Sequence, residues 1–257
     1  MIMEIKPDRK AWLQAGGSRC NTPPNTPPLA SRLVLLGAPG VGKGTQAELL
    51  AQRLGACHLS TGDIFRAAKT QQTCALSPAL SAALDYMKRG ELVADETVLA
   101  MVAERVSCLK CEGGFLLDGF PRTVAQAEAL EGLLKSQDIA LDAVVSYELP
   151  LEKVIARLGG RRTCPKCKAV FHIETRPPKV PGVCDNCGSN LYQREDDRPE
   201  SIRVRMQAYE KSTAPLTEFY AKRNLVLPIL AEGSPEDIFA RTLPALRLRS
   251  SGFAKSR

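Results

Sequence analysis

Apolar positions fall into short continuous runs separated by longer amphipathic stretches. Leu33-Val34-Leu35-Leu36, Phe115-Leu116-Leu117 and residues 143–148 are compact apolar runs, the pattern of strands buried on both faces of a parallel sheet. Cys57-His58-Leu59 and residues 225–229 read as further short strands. Between them the period lengthens to that of helices, over 43–54, 62–69, 78–89, 95–108, 123–135, 151–158, 199–222 and 236–247. Asp95-Glu96 place negative charge in the first turn of their helix, where the macrodipole favours it. Strand and helix alternate, which predicts an α/β domain built on a parallel sheet.

Three segments break the pattern. Residues 1–30 contain Asn21-Thr22-Pro23-Pro24 repeated at once as Asn25-Thr26-Pro27-Pro28, and diproline units favour extended, unpaired backbone. This stretch, which holds the only tryptophan, Trp12, is expected to be a disordered tail: an inert extension, the result of a wrongly chosen start codon, or a docking or targeting segment. Glu4 and Asp8 argue against a mitochondrial transit peptide. Residues 159–195 are rich in Cys, Pro and Gly and read as an insert, and the basic, Ser-containing end from Arg247 to Arg257 is expected to fray.

Composition narrows the class. With 257 residues, 44% hydrophobic and 25% charged, the chain is an ordinary globular one, and wholesale disorder, collagen and coiled coil are excluded. No apolar run reaches the length of a membrane span, and no apolar signal region opens the chain, so a cytoplasmic location is expected. The net charge of +7 fits nucleic acid or small phosphate ligands equally, so the placement of the basic residues must decide.

Gly37-Ala38-Pro39-Gly40-Val41-Gly42-Lys43-Gly44-Thr45 joins a strand to a helix. Glycines let successive backbone N–H groups converge on phosphate oxygens, and the helix N-terminus adds partial positive charge. Lys43 is placed to reach the β- and γ-phosphates. The usual phosphate-loop pattern has Ser or Thr directly after the lysine; here Gly44 intervenes before Thr45.

That loop resembles the one in nucleoside monophosphate kinases. Leu59-Ser60-Thr61-Gly62-Asp63 with Arg66, and Phe115-Leu116-Leu117-Asp118-Gly119-Phe120-Pro121-Arg122-Thr123, narrow the resemblance to the adenylate kinase family over about residues 32–248. The resemblance implies a phosphate-loop α/β fold, a parallel five-stranded sheet with helices on both faces, and a monomer that binds ATP, AMP and ADP but no nucleic acid and no membrane. It divides the chain into a core over 31–59, 90–157 and 196–248, a helical insert for the monophosphate over 60–89, and a lid over 158–195, with a frayed end at 249–257.

The resemblance also implies roles. The donor nucleotide meets Gly40, Val41, Gly42, Lys43, Gly44, Thr45, Arg157, Arg161, Val170, Phe171 and Gly233. AMP meets Thr61, Arg66, Glu91, Leu92, Val93, Gly119, Phe120, Pro121, Arg122, Gln126, Arg194 and Arg205. Lys43, Arg122, Arg157, Arg194 and Arg205 serve the transfer itself. The residues make this chemically sensible, because phosphoryl transfer between nucleotides needs two polyanions held in line and neutralised, with no general base. Asp118 ends an apolar strand, where a carboxylate would hold Mg²⁺ through water. Asp63 is either a second such carboxylate or a helix cap. Asp196 and Asp197 flank Arg194 and read as orienting lid arginines. Gln126 offers a donor and an acceptor to a base edge and lies one helical turn from Arg122.

The insert carries its own signal. Cys164-x-x-Cys167 and Cys184-x-x-Cys187, sixteen residues apart, are two knuckles of a closed four-thiolate zinc site. Few aliphatic residues surround them, so the metal replaces a core. Some adenylate kinases carry such a zinc-bearing lid. His172 is nearby but not needed as a ligand. Cys20, Cys57, Cys74, Cys108 and Cys111 show no pairing logic, and Gly159-Gly160 reads as a hinge. The competing readings are a kinase for GTP and AMP or for another monophosphate, a zinc-ribbon NTPase that binds nucleic acid, and a nucleotide-binding regulator without activity.

Overall fold

Five apolar runs form strands that all pair in parallel. The computed structural model describes residues 31–62, 78–88, 93–104, 109 and 113–253. Its strands are β1 (Arg32–Gly37), β2 (Cys57–Ser60), β3 (Phe115–Asp118), β4 (Ala143–Glu148), a separate antiparallel hairpin of β5 (Arg161–Thr163) and β6 (Val170–His172), and β7 (Val226–Leu230). The sheet order is β2-β3-β1-β4-β7. β1 is therefore central, and its C-terminal end opens at the point where the chain crosses from one half of the sheet to the other, where doubly wound folds bind ligands. The register sets Leu35 of β1 beside Asp118, so the carboxylate at the end of β3 lies next to the loop that follows β1.

The helices are α1 (Lys43–Leu54), α2 (Pro78–Lys88), α3 (Asp95–Ala103), α4 (Val124–Ser136), α5 (Leu151–Gly160), α6 (Pro199–Ala208), α7 (Pro215–Ala221) and α8 (Pro235–Phe253). Alternation along β1 divides the core. Leu33 and Leu35 pack with Leu50 and Leu54 of α1 and with Ile238 and Leu246 of α8. Val34 and Leu36 face the other way, onto Val102, Leu130, Leu216 and Tyr220 of α3, α4 and α7. Apolar side chains on both faces explain why these runs carry no polar alternation. Val154 and Leu158 of α5 join Ile202 and Met206 of α6 in a small third cluster, with Ala38 of the loop after β1 packed against it.

Two expectations need correction. The helix expected over 199–222 carries one wide turn, Tyr209–Thr213, between α6 and α7, where the backbone stays helical and the Ala214 N–H donates to the Tyr209 carbonyl. Pro215 is the physical reason: it has no N–H for the helical ladder, and its ring crowds the preceding turn. The last helix continues to Phe253 rather than ending at 247, carried by helix-forming Ala245, Leu246, Arg247 and Leu248. The tail expected over 1–30, all but Gly62 of the helix expected over 62–69, and the end of the helix expected over 95–108 lie outside the described residues.

Candidate active site

The loop between β1 and α1 is shaped by glycine where nothing else fits. Gly37 and Gly40 have φ of 136° and 83°. A Cβ at Gly37 would lie 2.4 Å from the Tyr147 carbonyl oxygen, and one at Gly40 would lie 2.5 Å from Leu158 Cγ. Val41 is buried in the core with Leu33 and Leu50, so only its backbone faces the loop's concavity. Lys43 Nζ donates to the Gly37 and Ala38 carbonyls at 2.6 and 2.9 Å, which folds the ammonium against the loop.

Lys43 also reports what surrounds the loop. Desolvation pushes its ammonium down to about 8; Asp118 opposes this, while Arg122, Arg205 and Arg161 add to it. Three arginines from three separate segments thus act on one lysine, and like charges are gathered where a polyanion would separate them.

Each arginine is held. Arg157 donates to the carbonyls of Val41 and Gly233, both at 3.3 Å, which ties α5 to the loop and to the turn after β7. Arg161 makes a two-point pair with Asp197, and Asp197 is fully buried. Arg194 pairs with Asp196 through two N–H groups. Arg205 donates to the Asp196 carbonyl at 2.7 Å and lies 3.2 Å from its carboxylate. Burial raises the Asp196 carboxyl, but the Arg194 pair and the fields of Arg205 and Arg161 outweigh it and hold the group below the usual carboxylate range. The two aspartates therefore aim the arginines, as the sequence suggested.

On the other side of the loop, Thr61 Oγ1 donates to the Gly119 carbonyl at 2.9 Å, and Arg122 Nε donates to the same oxygen at 2.8 Å. Phe120 is buried in the core and Pro121 is buried, so these two present backbone rather than side chain. Gln126 is buried; its Oε1 accepts from the Arg122 N–H at 2.7 Å, and its Nε2 donates to Asp95 Oδ1 at 2.6 Å. Thr123 caps α4 and donates to the other Asp95 oxygen at 3.0 Å. Sequence reasoning saw Asp95 only as a helix opener and missed this anchor. It also missed Thr213, whose hydroxyl donates to the Arg122 carbonyl at 3.0 Å, and His58, whose Nε2 lies 3.6 Å from Asp118 Oδ2. Asp63, Arg66, Glu91 and Leu92 lie outside the described residues, as do Cys20, Cys74, Cys108 and Cys111; Val93 precedes α3 and packs against the second core.

The β5–β6 turn carries Cys164 and Cys167, and the segment after β6 carries Cys184 and Cys187. Cys164, Cys167, Cys184 and Cys187 bring all four Sγ atoms within 4.8 Å of one another. Sulfurs at the corners of a zinc tetrahedron stand about 3.8 Å apart, and the observed Cys164–Cys187 and Cys167–Cys184 Sγ separations are 3.4 and 3.5 Å. Cys187 Sγ also lies 3.5 Å from the Ser189 hydroxyl, to which it donates. The donor set and spacing fit zinc. Phe171 packs with Cys164 and Cys184 in this small core, so its ring is engaged there, whereas Val170 is exposed.

Comparison with known proteins decides the family. The profile of the adenylate kinase family matches residues 35–225. The chain is 50% identical over 216 residues to the adenylate kinase of Carboxydothermus hydrogenoformans, covering 84% of this chain and 99% of that protein. It is 46% identical over 222 residues to that of Streptomyces griseus, covering 86% and 100%. The chain belongs to the adenylate kinase family. It is a nucleotide-binding phosphotransferase, and the family uses magnesium-bound nucleotide. Among the described residues no helix is long and apolar enough to cross a membrane.

Proposed function

We propose that the protein transfers the terminal phosphoryl group of magnesium-bound ATP reversibly to AMP, giving two ADP. The observation that carries this reading is the glycine-shaped loop with the Lys43 ammonium folded against it and Arg157 donating to the Val41 carbonyl, beside a carboxylate at a strand end. An oxygen of the AMP phosphate attacks the γ-phosphorus, and the bond to the β–γ bridging oxygen breaks. The backbone of Gly40 to Thr45 and the Lys43 ammonium hold the donor phosphates. Arg122 holds the AMP phosphate; Arg157, Arg161, Arg194 and Arg205 neutralise the group in transfer.

Thr61, Gly119 and the backbone of Phe120 and Pro121 line the acceptor side, with Arg66, Glu91, Leu92 and Val93 assigned there by family. Gln126 keeps one amide N–H and one Oε1 lone pair beyond its two internal partners, enough to meet an adenine edge. Val170, the backbone of Phe171 and that of Gly233 meet the donor adenosine. Asp118 would hold magnesium through water, and the ion would supply positive charge to the phosphates. Cys164, Cys167, Cys184 and Cys187 would hold zinc, which would serve a structural role there. Residues 31–59, 90–157 and 196–248 act as the core, 60–89 as the acceptor insert and 158–195 as a lid that excludes water when closed. The working form is a monomer in the cytoplasm that binds neither nucleic acid nor membrane.

A bisubstrate probe tests the arrangement. Two adenosines joined by five phosphates should bind one per chain and far more tightly than ATP or AMP alone, and Lys43→Met should abolish the advantage. Binding of two probes per chain, or no gain over ATP, would contradict donor and acceptor lying side by side.

A further inference from the structure

Gly160 closes α5 and is buried, yet its backbone does not need glycine: its φ lies outside the left-handed region. What it needs is space. A Cβ there would meet the His172 ring, at 2.2 Å from Nε2 and 2.4 Å from Cε1. His172 lies on β6, directly across from Arg161 in the hairpin. Its ring is therefore wedged against the last residue of the helix from which the hairpin springs.

The ring's polar atoms fix its orientation. The backbone N–H groups of Glu174 and Thr175 both donate to Nδ1 at 3.1 Å. Nδ1 is thus an acceptor, which leaves the N–H of a neutral imidazole on Nε2, facing the Ala156 carbonyl at 3.4 Å. Backbone bonds surround the same joint: the Ile173 N–H donates to the Gly160 carbonyl at 3.0 Å, and His172 and Arg176 exchange bonds at 3.0 and 3.2 Å. Gln193 closes the returning side, donating from Nε2 to the carbonyls of Gly159 and Asp197, both at 3.2 Å.

We propose that His172 is a positioning residue for ATP: its ring, seated on Gly160, sets the angle at which the β5–β6 hairpin leaves α5, and so where Arg161 and the Phe171 backbone stand over the donor nucleotide. It touches no substrate. It acts by limiting the orientations the hairpin samples, because a smaller competent fraction weakens apparent affinity in proportion. The proposal rests on the assignment of ATP contacts to residues 158–195.

The test compares KM for ATP with KM for AMP across His172→Ala, His172→Asn, Gly160→Ala and the double variant, with zinc content and melting temperature measured alongside. His172→Asn keeps an acceptor near the Nδ1 position for the 174–175 turn but leaves nothing against Gly160. Both His172 variants should raise KM for ATP roughly fivefold, the factor for losing about one net hydrogen bond, with zinc bound and KM for AMP unchanged. Gly160→Ala should do the same by displacing the ring, and adding it to His172→Ala should cost nothing further. A lower melting temperature with unchanged KM for ATP would overturn the proposal and leave the ring as packing. Arg161→Ala separates the premises. If it raises KM for ATP while the His172 variants do not, the positioning role fails and the lid assignment stands; if it too leaves KM for ATP unchanged, the lid assignment fails.

Discussion

Arg161 and Asp197 form a two-point pair at the base of the hairpin, with the Nε–Oδ2 and guanidinium–Oδ1 distances at 2.7 and 2.5 Å and the carboxylate shut off from solvent. A buried charge tolerates burial only while its partner remains. Arg205 approaches the same carboxylate at 3.5 Å, so one aspartate holds two of the arginines proposed for the transfer. Asp197→Ala should cost about 3 kcal/mol, at the low end for a broken buried pair, which for a domain of this size is a melting-point loss of about 6–12 °C. It should also raise KM for ATP more than KM for AMP. Thermal melting with bisubstrate kinetics checks both.

Lys43 gives a proton signature. Its ammonium titrates at about 8 rather than 10.5, chiefly through desolvation. Bound polyphosphate adds negative charge and pulls the group back up, so binding near pH 8 takes up about half a proton. At pH 6 the free lysine is already charged and uptake vanishes. Above pH 8, kcat/KM for ATP should fall. Calorimetry in buffers of differing ionisation enthalpy reads the uptake, and Lys43→Met should remove it.

Gln126 anchors the loop that carries Arg122. Gln126→Ala leaves the Arg122 N–H and one Asp95 oxygen without their partner, at a cost of about 2 kcal/mol. KM for AMP should rise by about tenfold while KM for ATP changes little. Steady-state kinetics with each substrate varied in turn decides it.

The two Cys knuckles, with the zinc proposed for them, should behave as a local core. Cys184→Ser removes a buried ligand and should reduce bound zinc, lower the melting temperature and loosen the hairpin while nucleotide still reaches the phosphate loop. Metal analysis with melting curves tests this; unchanged zinc and an unchanged melt would remove the metal from the account.

What could be read beforehand was local. The phosphate loop and the two knuckles are written within a few residues each, and the buried strands announce themselves as unbroken apolar runs such as Leu33 to Leu36. Asp197 read as orienting lid arginines, but the anchors' partners were not legible, because they lie in distant segments: Asp95 meets Gln126 across 31 positions, and Arg161 meets Asp197 across 36. Burial of Asp197 is invisible in a run of acids. The wide turn within the 199–222 helix did have a signal, Pro215, but helical periodicity on both sides of it concealed the change. The use of Gly160 as a seat for His172 depends on a strand pairing that spacing alone does not reveal.

The most direct test is a coupled assay of purified protein with magnesium and ATP against AMP, GMP, CMP and UMP in turn. The account predicts ADP formation with a strong preference for AMP, abolished by Arg122→Ala. Phosphoryl transfer to another monophosphate in preference to AMP, or transfer to none by zinc-loaded protein that binds ATP, would contradict it.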